Sequence, residues 1–353
     1  MGYLNMNINN ILVTGSGGLI GSEVVEFYCN LGCNVLGIDN NSRSIFFGSE
    51  GSVQWRVDQL LSKYKNYSHS NVSICDKVAI DSLLKNKKFD LIIHAAAQPS
   101  HDWAVKDPIM DFTTNAMGTL IMLEAYKKYS PCATFIFTST NKVYGDKPNS
   151  LQYTEVPTRW TPSLSDIGVY GIDEYMSIDN CLHSLFGASK ASADLLVQEY
   201  GKYFKLNTGV FRGGCLTGPN HSGVELHGFL SYLIKCSKTD KTYNINGYKG
   251  KQVRDNIHSK DMINAFHEFA LNPTQGEVYN IGGGPDSNCS IIEAIDIIEQ
   301  ISGKIVKTTY TDNPRIGDHI WWISDTRKFK RQYPNWCIKY NIHNIIEDII
   351  KNS

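Results

Sequence analysis

The sequence predicts an α/β protein, a doubly wound parallel sheet followed by a smaller C-terminal domain. Three observations support this prediction. Short apolar runs alternate with amphipathic stretches through residues 1–214, a glycine-rich turn follows the first apolar run, and the alternation weakens beyond about residue 215. With 353 residues, of which 42% are hydrophobic, the chain can bury a large core and form one main domain with a second attached.

The elements are predicted in chain order from the spacing of apolar residues. An apolar strand from Ile11 to Val13 precedes the glycine turn, an amphipathic helix follows it, and a second apolar strand ends at Asp39. The further predicted elements are a strand over 89–97, a helix near 111–129, a strand over 133–140, a helix from about Lys190 to Phe204 and a strand over 207–214. We assign 1–214 to the sheet domain, with segments near 250–284 returning to it, and 215–353 mainly to the smaller domain.

Composition excludes several classes of partner. The formal net charge is −1 and charges of both signs are interspersed, so the sequence predicts neither nucleic acid nor a membrane surface as a ligand. No apolar run approaches the roughly 18 residues of a membrane span. The nine cysteines are scattered without metal-ligand spacing, so we predict no metal site, and the absence of a signal pattern predicts a cytoplasmic protein.

The glycine turn predicts a dinucleotide site. Gly15, Gly18 and Gly21 form Gly-x-x-Gly-x-x-Gly, in which the first permits a tight turn, the second lets a pyrophosphate approach backbone amides, and the third lets helix and strand pack closely. Asp39 follows at a strand end, where a carboxylate accepts hydrogen bonds from the adenosine ribose and repels a 2′-phosphate. We therefore predict NAD rather than NADP, although Arg43 could soften that preference by stacking on adenine or pairing with phosphate.

Motifs spread over nearly the whole chain resemble the extended short-chain dehydrogenase/reductase superfamily of nucleotide-sugar epimerases and dehydratases. They are the glycine spacing, "HAAAQ" at 94–98, "TSTNKVYGD" at 138–146, the Phe186/Lys190 pair, "GKQVRD" at 250–255, "NIGGG" at 280–284 and "RIGD" at 315–318. Together with "QPSHDWA" at 98–104, they look most like the CDP-paratose 2-epimerase group. The resemblance implies a Rossmann domain that binds NAD, a C-terminal domain that binds a nucleotide sugar, and a homodimer paired through the helices near 111–129 and from Lys190.

The resemblance also implies the residues that contact each ligand. For NAD they are Gly15, Gly18, Leu19, Ile20, Gly21, Asp39, Asn40, Arg43, Ser73, Ile74, Ala95, Ala96, Ala97, Gln98, Ser139 and Lys190. For the nucleotide sugar they are Ser100, His101, Asp102, Thr140, Asn141, Arg254 and Arg315. Helix capping is a competing role for Ser100, and a salt bridge with Asp255 or Asp318 competes with phosphate binding for the two arginines.

In such enzymes a Tyr phenolate, stabilised by a Lys four residues later, removes a proton from a sugar hydroxyl that a Ser or Thr also holds. Here Lys190 and Thr140 match, but the tyrosine position is Phe186, which has no proton to give or take. Two explanations stay open. Phe186 is an engineered change that inactivates the protein, or it is a natural divergence in which Tyr170, Tyr175 or His183 transfers the proton or catalysis is lost.

The residues after Thr140 favour epimerisation. Related 4,6-dehydratases carry an acidic pair there because eliminating water needs an acid, whereas this chain has Asn141 and Lys142; Asp146 and Glu174 do not follow the family pattern. The resemblance therefore predicts NAD-dependent epimerisation at C2 of a CDP-linked deoxyhexose, through a keto-sugar. The alternatives are a 4,6-dehydratase, a 4-epimerase, or a catalytically silent protein that binds a nucleotide sugar.

Overall fold

The computed structural model describes residues 8–163, 166–221, 223–225, 228–314 and 317–352. Arg315, one of the predicted substrate residues, lies outside them. The strands are β1 Asn10–Thr14, β2 Asn34–Ile38, β3 Tyr67–Ser70, β4 Leu91–His94, β5 Thr134–Thr140, β6 Tyr153–Glu155, β7 Trp160–Pro162, β8 Asn207–Gly213, β9 Cys215–Thr217, β10 Tyr243–Asn246, β11 Val253–His258, β12 Gln275–Ile281, β13 Asn288–Ser290, β14 Thr308–Thr311 and β15 Trp321–Trp322.

The helices complete the element order. They are α1 Leu19–Asn30, α2 Arg43–Phe47, α3 Gln54–Lys63, α4 Lys77–Leu84, α5 His101–Lys106, α6 Pro108–Phe112, α7 Gly118–Tyr129, α8 Asp166–Tyr170, α9 Leu185–Phe204, α10 Phe229–Thr239, α11 Ser259–Leu271, α12 Ile291–Ser302, α13 Arg327–Gln332 and α14 Ile342–Asn352. A π-helical turn, Thr113–Met117, joins α6 to α7. In the part of the chain described, no helix combines the length and the apolar character that crossing a bilayer requires.

The predicted doubly wound parallel sheet is confirmed. Seven strands lie in the order β12-β8-β5-β4-β1-β2-β3, so the chain moves outward from β1 through β2 to β3 and then crosses back to β4 on the other side. Thr14 is in register with Ile38 of β2 and with His94 of β4, which aligns the carboxyl ends of these three strands. In open α/β sheets, ligands bind at such a reversal of strand order.

Strand β3 has no counterpart among the predicted elements. Its sequence, Tyr-Ser-His-Ser, is polar, and only Tyr67 is buried because β3 is an edge strand of the sheet. A pattern of apolar residues cannot detect a strand whose exposed positions have no need to be apolar. Ser73 and Ile74, two of the predicted NAD contacts, follow this third strand.

The chain forms two compact units whose boundaries differ from those predicted. The first contains the described residues of Met1–Ser139 with Ala188–Phe211 and Ile263–Val278, and the second those of Thr140–Gly187, Arg212–Met262 and Tyr279–Ser353. Residues 140–187 thus cluster with the C-terminal part rather than with the sheet domain. Long-range hydrogen bonds explain this: the Tyr144 hydroxyl donates to Asn280 (2.8 Å), and the Glu174 carboxylate accepts from the Asn280 N–H (2.6 Å).

Each unit has its own apolar core. In the first, strand residues such as Leu12, Ile92 and Phe135 pack with Leu123 of α7 and Val197 of α9. In the second, a cluster from three helices contains Leu233, Ile298 and Ile346, all at most 1% exposed. The amphipathic helices therefore form because one face of each covers a core.

Candidate functional site

The glycine turn lies between β1 and α1, as the sequence predicts. Gly15 has φ +70°, and a Cβ on it would lie 2.7 Å from the Ala96 nitrogen. A Cβ on Gly21 would collide with the Gly15 carbonyl oxygen. Gly18 is the N-cap residue of α1 and no side chain caps that helix, so the first N–H groups of the helix suit an anion such as a pyrophosphate. Leu19 and Ile20 form the start of the helix, and the turn has the close approaches that a dinucleotide fold needs.

Asp39 closes the other side of the turn. One of its carboxylate oxygens accepts from the Gly17 N–H (2.9 Å) and the other from the Asn41 N–H (2.7 Å). These bonds fix the carboxylate directly after β2, where the ribose hydroxyls of a dinucleotide would meet it. Arg43 follows at the start of α2, and burial lowers its pKa to about 10 against the opposing charge of Asp39, so it remains a cation at neutral pH.

Three further predicted NAD contacts, Asn40, Ser73 and Ile74, have different surroundings. Asn40 is exposed and its side chain accepts from the Ser42 hydroxyl (2.6 Å). Ser73 accepts from the Cys75 N–H (3.2 Å). Ile74 is 6% exposed and packs so closely on Gly118 that a Cβ there would lie 2.7 Å from its Cδ1 atom. Ile74 therefore has a packing role whether or not it also touches a ligand.

Adding a methyl group to Gly15 is expected to abolish tight binding of the predicted cofactor. In Gly15→Ala, the left-handed backbone costs about 1 kcal/mol, and the contact with the Ala96 backbone forces the turn open. Gly32→Ala is the matched control, because Gly32 also has positive φ (+84°) but nothing lies within 4 Å of its Cβ position. Calorimetric titration with NAD should show the loss in Gly15→Ala alone; equal affinities for the two variants would contradict the assignment.

Residues after β4 form a buried polar network instead of open ligand contacts. Ala95, Ala96 and Ala97 are half-buried, but the Gln98 amide is committed on both sides: its nitrogen donates to Asp111 (2.7 Å) and to the Ser100 carbonyl (2.8 Å), and its oxygen accepts from the Ser100 N–H. A cofactor contact by the Gln98 side chain, as predicted, would have to compete with these bonds.

The predicted sugar contacts after Gln98 have different surroundings. The Ser100 hydroxyl accepts from the Trp103 N–H (3.1 Å) and so caps α5, which is the role that competes with sugar binding at this residue. His101 is half-buried, whereas Asp102 is exposed. The described contacts therefore give Ser100 a structural task and leave the roles of His101 and Asp102 as predictions.

Sequence reasoning missed Asn115 and Asp111, which support this region. Asn115 is 1% exposed, and the two hydrogens of its side-chain nitrogen are shared among three acceptors, Asp111 (3.1 Å), the Gln98 carbonyl (3.0 Å) and the Ser189 hydroxyl (3.0 Å). Two polar residues four apart on a buried helix face are the signal that could have identified them, because buried polar groups need partners.

Lys190 lies in α9 with its amine buried. Its Nζ donates to the Thr138 carbonyl (2.8 Å) and lies 4.1 Å from the centroid of the Phe137 ring. Burial lowers the pKa of Lys190 to about 7, although the nearby carboxylates of Asp194 and Asp111 oppose the shift. Ser139, predicted to contact the cofactor, donates to the Asp194 carboxylate (2.6 Å). The Ser139 hydroxyl therefore holds the negatively charged carboxylate of Asp194 close to the Lys190 amine.

In the second unit, Thr140 begins the short helical turn Asn141–Tyr144. Its half-buried hydroxyl accepts from the Lys142 N–H (3.2 Å), and Asn141 beside it is 6% exposed. The Lys142 Nζ donates to the Gly317 carbonyl (2.9 Å), and burial lowers its pKa to about 8 against the attraction of Asp318. No carboxylate follows Thr140, so the turn offers an amide and an amine where a dehydratase would need an acid.

Phe186 is 7% exposed and lies in the first turn of α9, four residues before Lys190. Of the three alternative proton-transfer groups, Tyr175 is 94% exposed, and the ring of Tyr170 lies 3.8 Å from the Arg327 guanidinium carbon. His183 differs from both. Its Nε2 donates to the Ile178 carbonyl (2.8 Å), and its buried Nδ1 has no hydrogen-bond partner among the described residues.

Arg254 takes part in a partly buried ion pair with Asp318. Its guanidinium donates to the Asp318 carboxylate and to the carbonyls of Val253 and His319, and the residue is 7% exposed. Burial opposes ionisation of Asp318, but Arg254 and Lys142 outweigh it and hold the pKa of that carboxyl below its usual range. The salt bridge that competes with phosphate binding is thus present with Asp318, while Asp255 instead accepts from the Ser324 N–H (2.9 Å).

Two cations surround one carboxylate in this cluster of Lys142, Arg254 and Asp318, so the cluster carries one excess positive charge.

Among the described residues, no group of three or more His, Cys, Asp or Glu side chains could hold a metal ion.

Comparison with known proteins gives the family. The NAD dependent epimerase/dehydratase family matches residues 11–282. The chain is 31% identical to CDP-paratose 2-epimerase of Salmonella typhi over 90% of this chain and 91% of that protein, and 28% identical to dTDP-glucose 4,6-dehydratase of Salmonella typhimurium over 92% and 84%.

Solved structures agree on the fold. A Tyr-to-Phe variant of UDP-glucuronic acid 4-epimerase from Bacillus cereus, in complex with UDP-4-deoxy-4-fluoro-glucuronic acid and NAD, has a TM-score of 0.76 and 24% identity, covering 97% of this chain and 98% of that one. The chain belongs to the NAD dependent epimerase/dehydratase family of enzymes that act on nucleotide sugars, and its cofactor is NAD.

Proposed function

We propose that this chain is built for epimerisation at C2 of a CDP-linked deoxyhexose. The observation that favours epimerisation over dehydration is the Thr140-Asn141-Lys142 turn, in which the hydroxyl is followed by an amide and a half-buried amine and by no acid. The similarity to CDP-paratose 2-epimerase, which covers 90% of this chain, supports the choice of C2 and of a CDP-linked sugar. Dehydration would need an acid for the leaving hydroxyl, and Glu174, which burial gives a raised pKa, has a carboxylate already engaged with the Asn280 N–H.

The proposed roles follow the two units. Gly15, Gly18 and Asp39 with the β4 end would hold NAD, and the second unit, with Arg254, would hold the nucleotide sugar. NAD, when bound, supplies the hydride acceptor and donor for a passage through a keto-sugar. The Thr140 hydroxyl would orient the reacting sugar hydroxyl. The Lys190 amine, with its pKa lowered to about 7 by burial, would favour a phenolate at position 186, where this chain has a phenylalanine.

Phe186 supports a second candidate, a silent protein that binds a nucleotide sugar. A phenyl ring cannot exchange a proton. Turnover without a tyrosine at this position would need another group such as His183, whose buried Nδ1 has no hydrogen-bond partner among the described residues. The two candidates differ in turnover alone, since binding of both ligands is common to them.

The test follows CDP-linked deoxyhexoses by NMR in the presence of NAD. Inversion at C2 supports the proposal, inversion at C4 would replace it with a 4-epimerase, and a 4-keto-6-deoxy product would replace it with a dehydratase. Saturable binding of the nucleotide sugar with no change in its spectrum over days would support the silent protein.

We also propose a homodimer that pairs α7 and α9. Both helices bury one side in the first core, through Met122, Leu123 and Val197, and yet α9 and the turn before α7 expose apolar side chains such as Leu195 (47%) and Met117 (46%). Packing on the sheet therefore does not account for all the apolar side chains of these helices, and a second copy of the protein could bury those that stay exposed.

Leu195→Glu is expected to give a monomer, because a carboxylate at the centre of an apolar helix pair loses its hydration. Val78→Glu is the matched control: Val78 is 80% exposed on α4, outside the proposed interface. Light scattering at micromolar concentration measures the mass. A wild type that is already monomeric would refute the proposed pairing.

A further inference from the structure

A continuous chain of hydrogen bonds crosses the first unit at the reversal of strand order. Its centre is His94, the last residue of β4, which is 0% exposed. The His94 Nδ1 lies 2.7 Å from the Thr14 hydroxyl oxygen, and its Nε2 lies 3.0 Å from the Thr119 hydroxyl oxygen. Thr14 ends β1 and Thr119 lies in α7, so one imidazole links two strands and a helix.

The direction of each hydrogen bond in this series follows from the bond that the Thr119 hydroxyl makes. The Thr119 hydroxyl donates to the Asn115 carbonyl (2.6 Å), so it can only accept from His94, whose Nε2 must carry the hydrogen. The Nδ1 lone pair then accepts the Thr14 hydroxyl hydrogen. The Thr14 oxygen in turn accepts the Ala96 N–H (3.3 Å).

A neutral imidazole is required for this order, since a protonated ring could not accept from Thr14. The surroundings favour the neutral form: burial and the positive charge of Lys190 lower the pKa of His94 to about 3. The facing titratable group is Lys190, whose amine lies 4.1 Å from the centroid of the Phe137 ring, and His94 stacks on that same ring at 5.7 Å between centroids.

Both ends of this hydrogen-bond series lead to groups that the proposed function uses. Thr14 immediately precedes Gly15, and the Ala96 backbone that Thr14 holds is the one packed against Gly15. At the other end, the side chain of Asn115 donates to Ser189, the residue before Lys190. Movement of His94 would therefore shift the glycine turn against the β4 end and loosen the helix that carries Lys190.

We propose that His94 is a positioning residue for NAD, which acts through Thr14 to fix the glycine turn against the β4 end and through Thr119 and Asn115 to fix the start of the Lys190 segment. The proposal rests on the NAD site described under the proposed function. It assigns His94 no contact with the cofactor and no part in proton transfer.

The experiment measures NAD affinity by calorimetry, the affinity for CDP, and the melting temperature of the full chain. Thr14→Val removes the hydrogen bonds of the Thr14 hydroxyl to His94 and Ala96, and His94→Phe removes those of the imidazole to Thr14 and Thr119. Either variant should raise the Kd for NAD by about tenfold or more while the Kd for CDP stays unchanged. His94→Asn, which keeps an acceptor near the Nδ1 position, should recover part of the NAD affinity. Thr134→Val is the matched control, because the buried Thr134 hydroxyl in the same sheet has no hydrogen-bond partner among the described residues.

A second measurement keeps the test usable if His94→Phe does not fold. Hydrogen exchange of the Ala96 amide in the cofactor-free protein should be faster in Thr14→Val than in Thr134→Val, because only the first loses the acceptor for that N–H. Lower melting temperatures with NAD affinities within twofold of wild type would overturn the proposal and leave the NAD site standing. A wild type that binds no NAD would overturn the site and this proposal together.

Discussion

Replacing Phe186 with Tyr is expected to raise turnover of the nucleotide sugar by about 10²- to 10⁴-fold, the usual contribution of a positioned acid or base. The position lies one helical turn before Lys190. The Lys190 amine is buried and donates to the Thr138 carbonyl, and burial lowers its pKa to about 7. A positive charge near a phenol favours the phenolate. The affinities for NAD and the sugar should change little, because an interaction made chiefly in the transition state alters kcat rather than binding.

The matched control is Phe204→Tyr, which adds the same hydroxyl to the last residue of the same helix, at a side chain that is 43% exposed. Initial rates with NAD and a CDP-deoxyhexose should rise in Phe186→Tyr alone. The opposite result is a wild type with near-normal turnover that Phe186→Tyr does not improve and that His183→Ala abolishes. That result would assign the proton transfer to His183 and would make the phenyl ring a natural divergence.

Local patterns carry most of the correct predictions. The glycine turn, the apolar strands of the sheet and Asp39 at the end of β2 are each specified by neighbours within about twenty residues, so spacing alone predicts them. The start of α9 shows the limit of local patterns. The sequence predicts this helix from about Lys190, whereas it begins at Leu185, so Phe186 lies inside its first turn.

Contacts between distant residues could not be predicted. Gln98 is committed to Asp111, and Asn115 reaches Ser189 from 74 positions away, through bonds that depend on how the helices are placed. Arg254 and Asp318 are 64 positions apart, so the sequence offers a salt bridge with Asp318 only as one possibility beside phosphate binding. Polar networks of this kind follow from burial, and burial is known only once the fold is.

Removing the charge of Asp318 is expected to destabilise the protein far more than removing the charge of an exposed ion pair. Asp318→Asn leaves Lys142 and Arg254 without a counter-charge, and breaking a buried pair in this way costs about 3 kcal/mol, the low end of the usual range because the Asp318 side chain is 24% exposed. The matched control is Asp240→Asn. Asp240 pairs with Lys307 at 2.6 Å, but the two side chains are 74% and 57% exposed, so its loss should cost about 0.5 kcal/mol.

The same substitution should change the response to acid. The folded-state pKa of Asp318 lies below its ordinary value, so the unfolded chain binds the proton first and the contribution of Asp318 is present above pH about 4 and is lost as the pH falls further. Urea unfolding of wild type and both variants at pH 7 and at pH 3 measures this. The difference between wild type and Asp318→Asn should shrink at the lower pH, whereas a difference that is independent of pH, or equal losses in the two variants, would show that the cluster does not depend on the charge of Asp318.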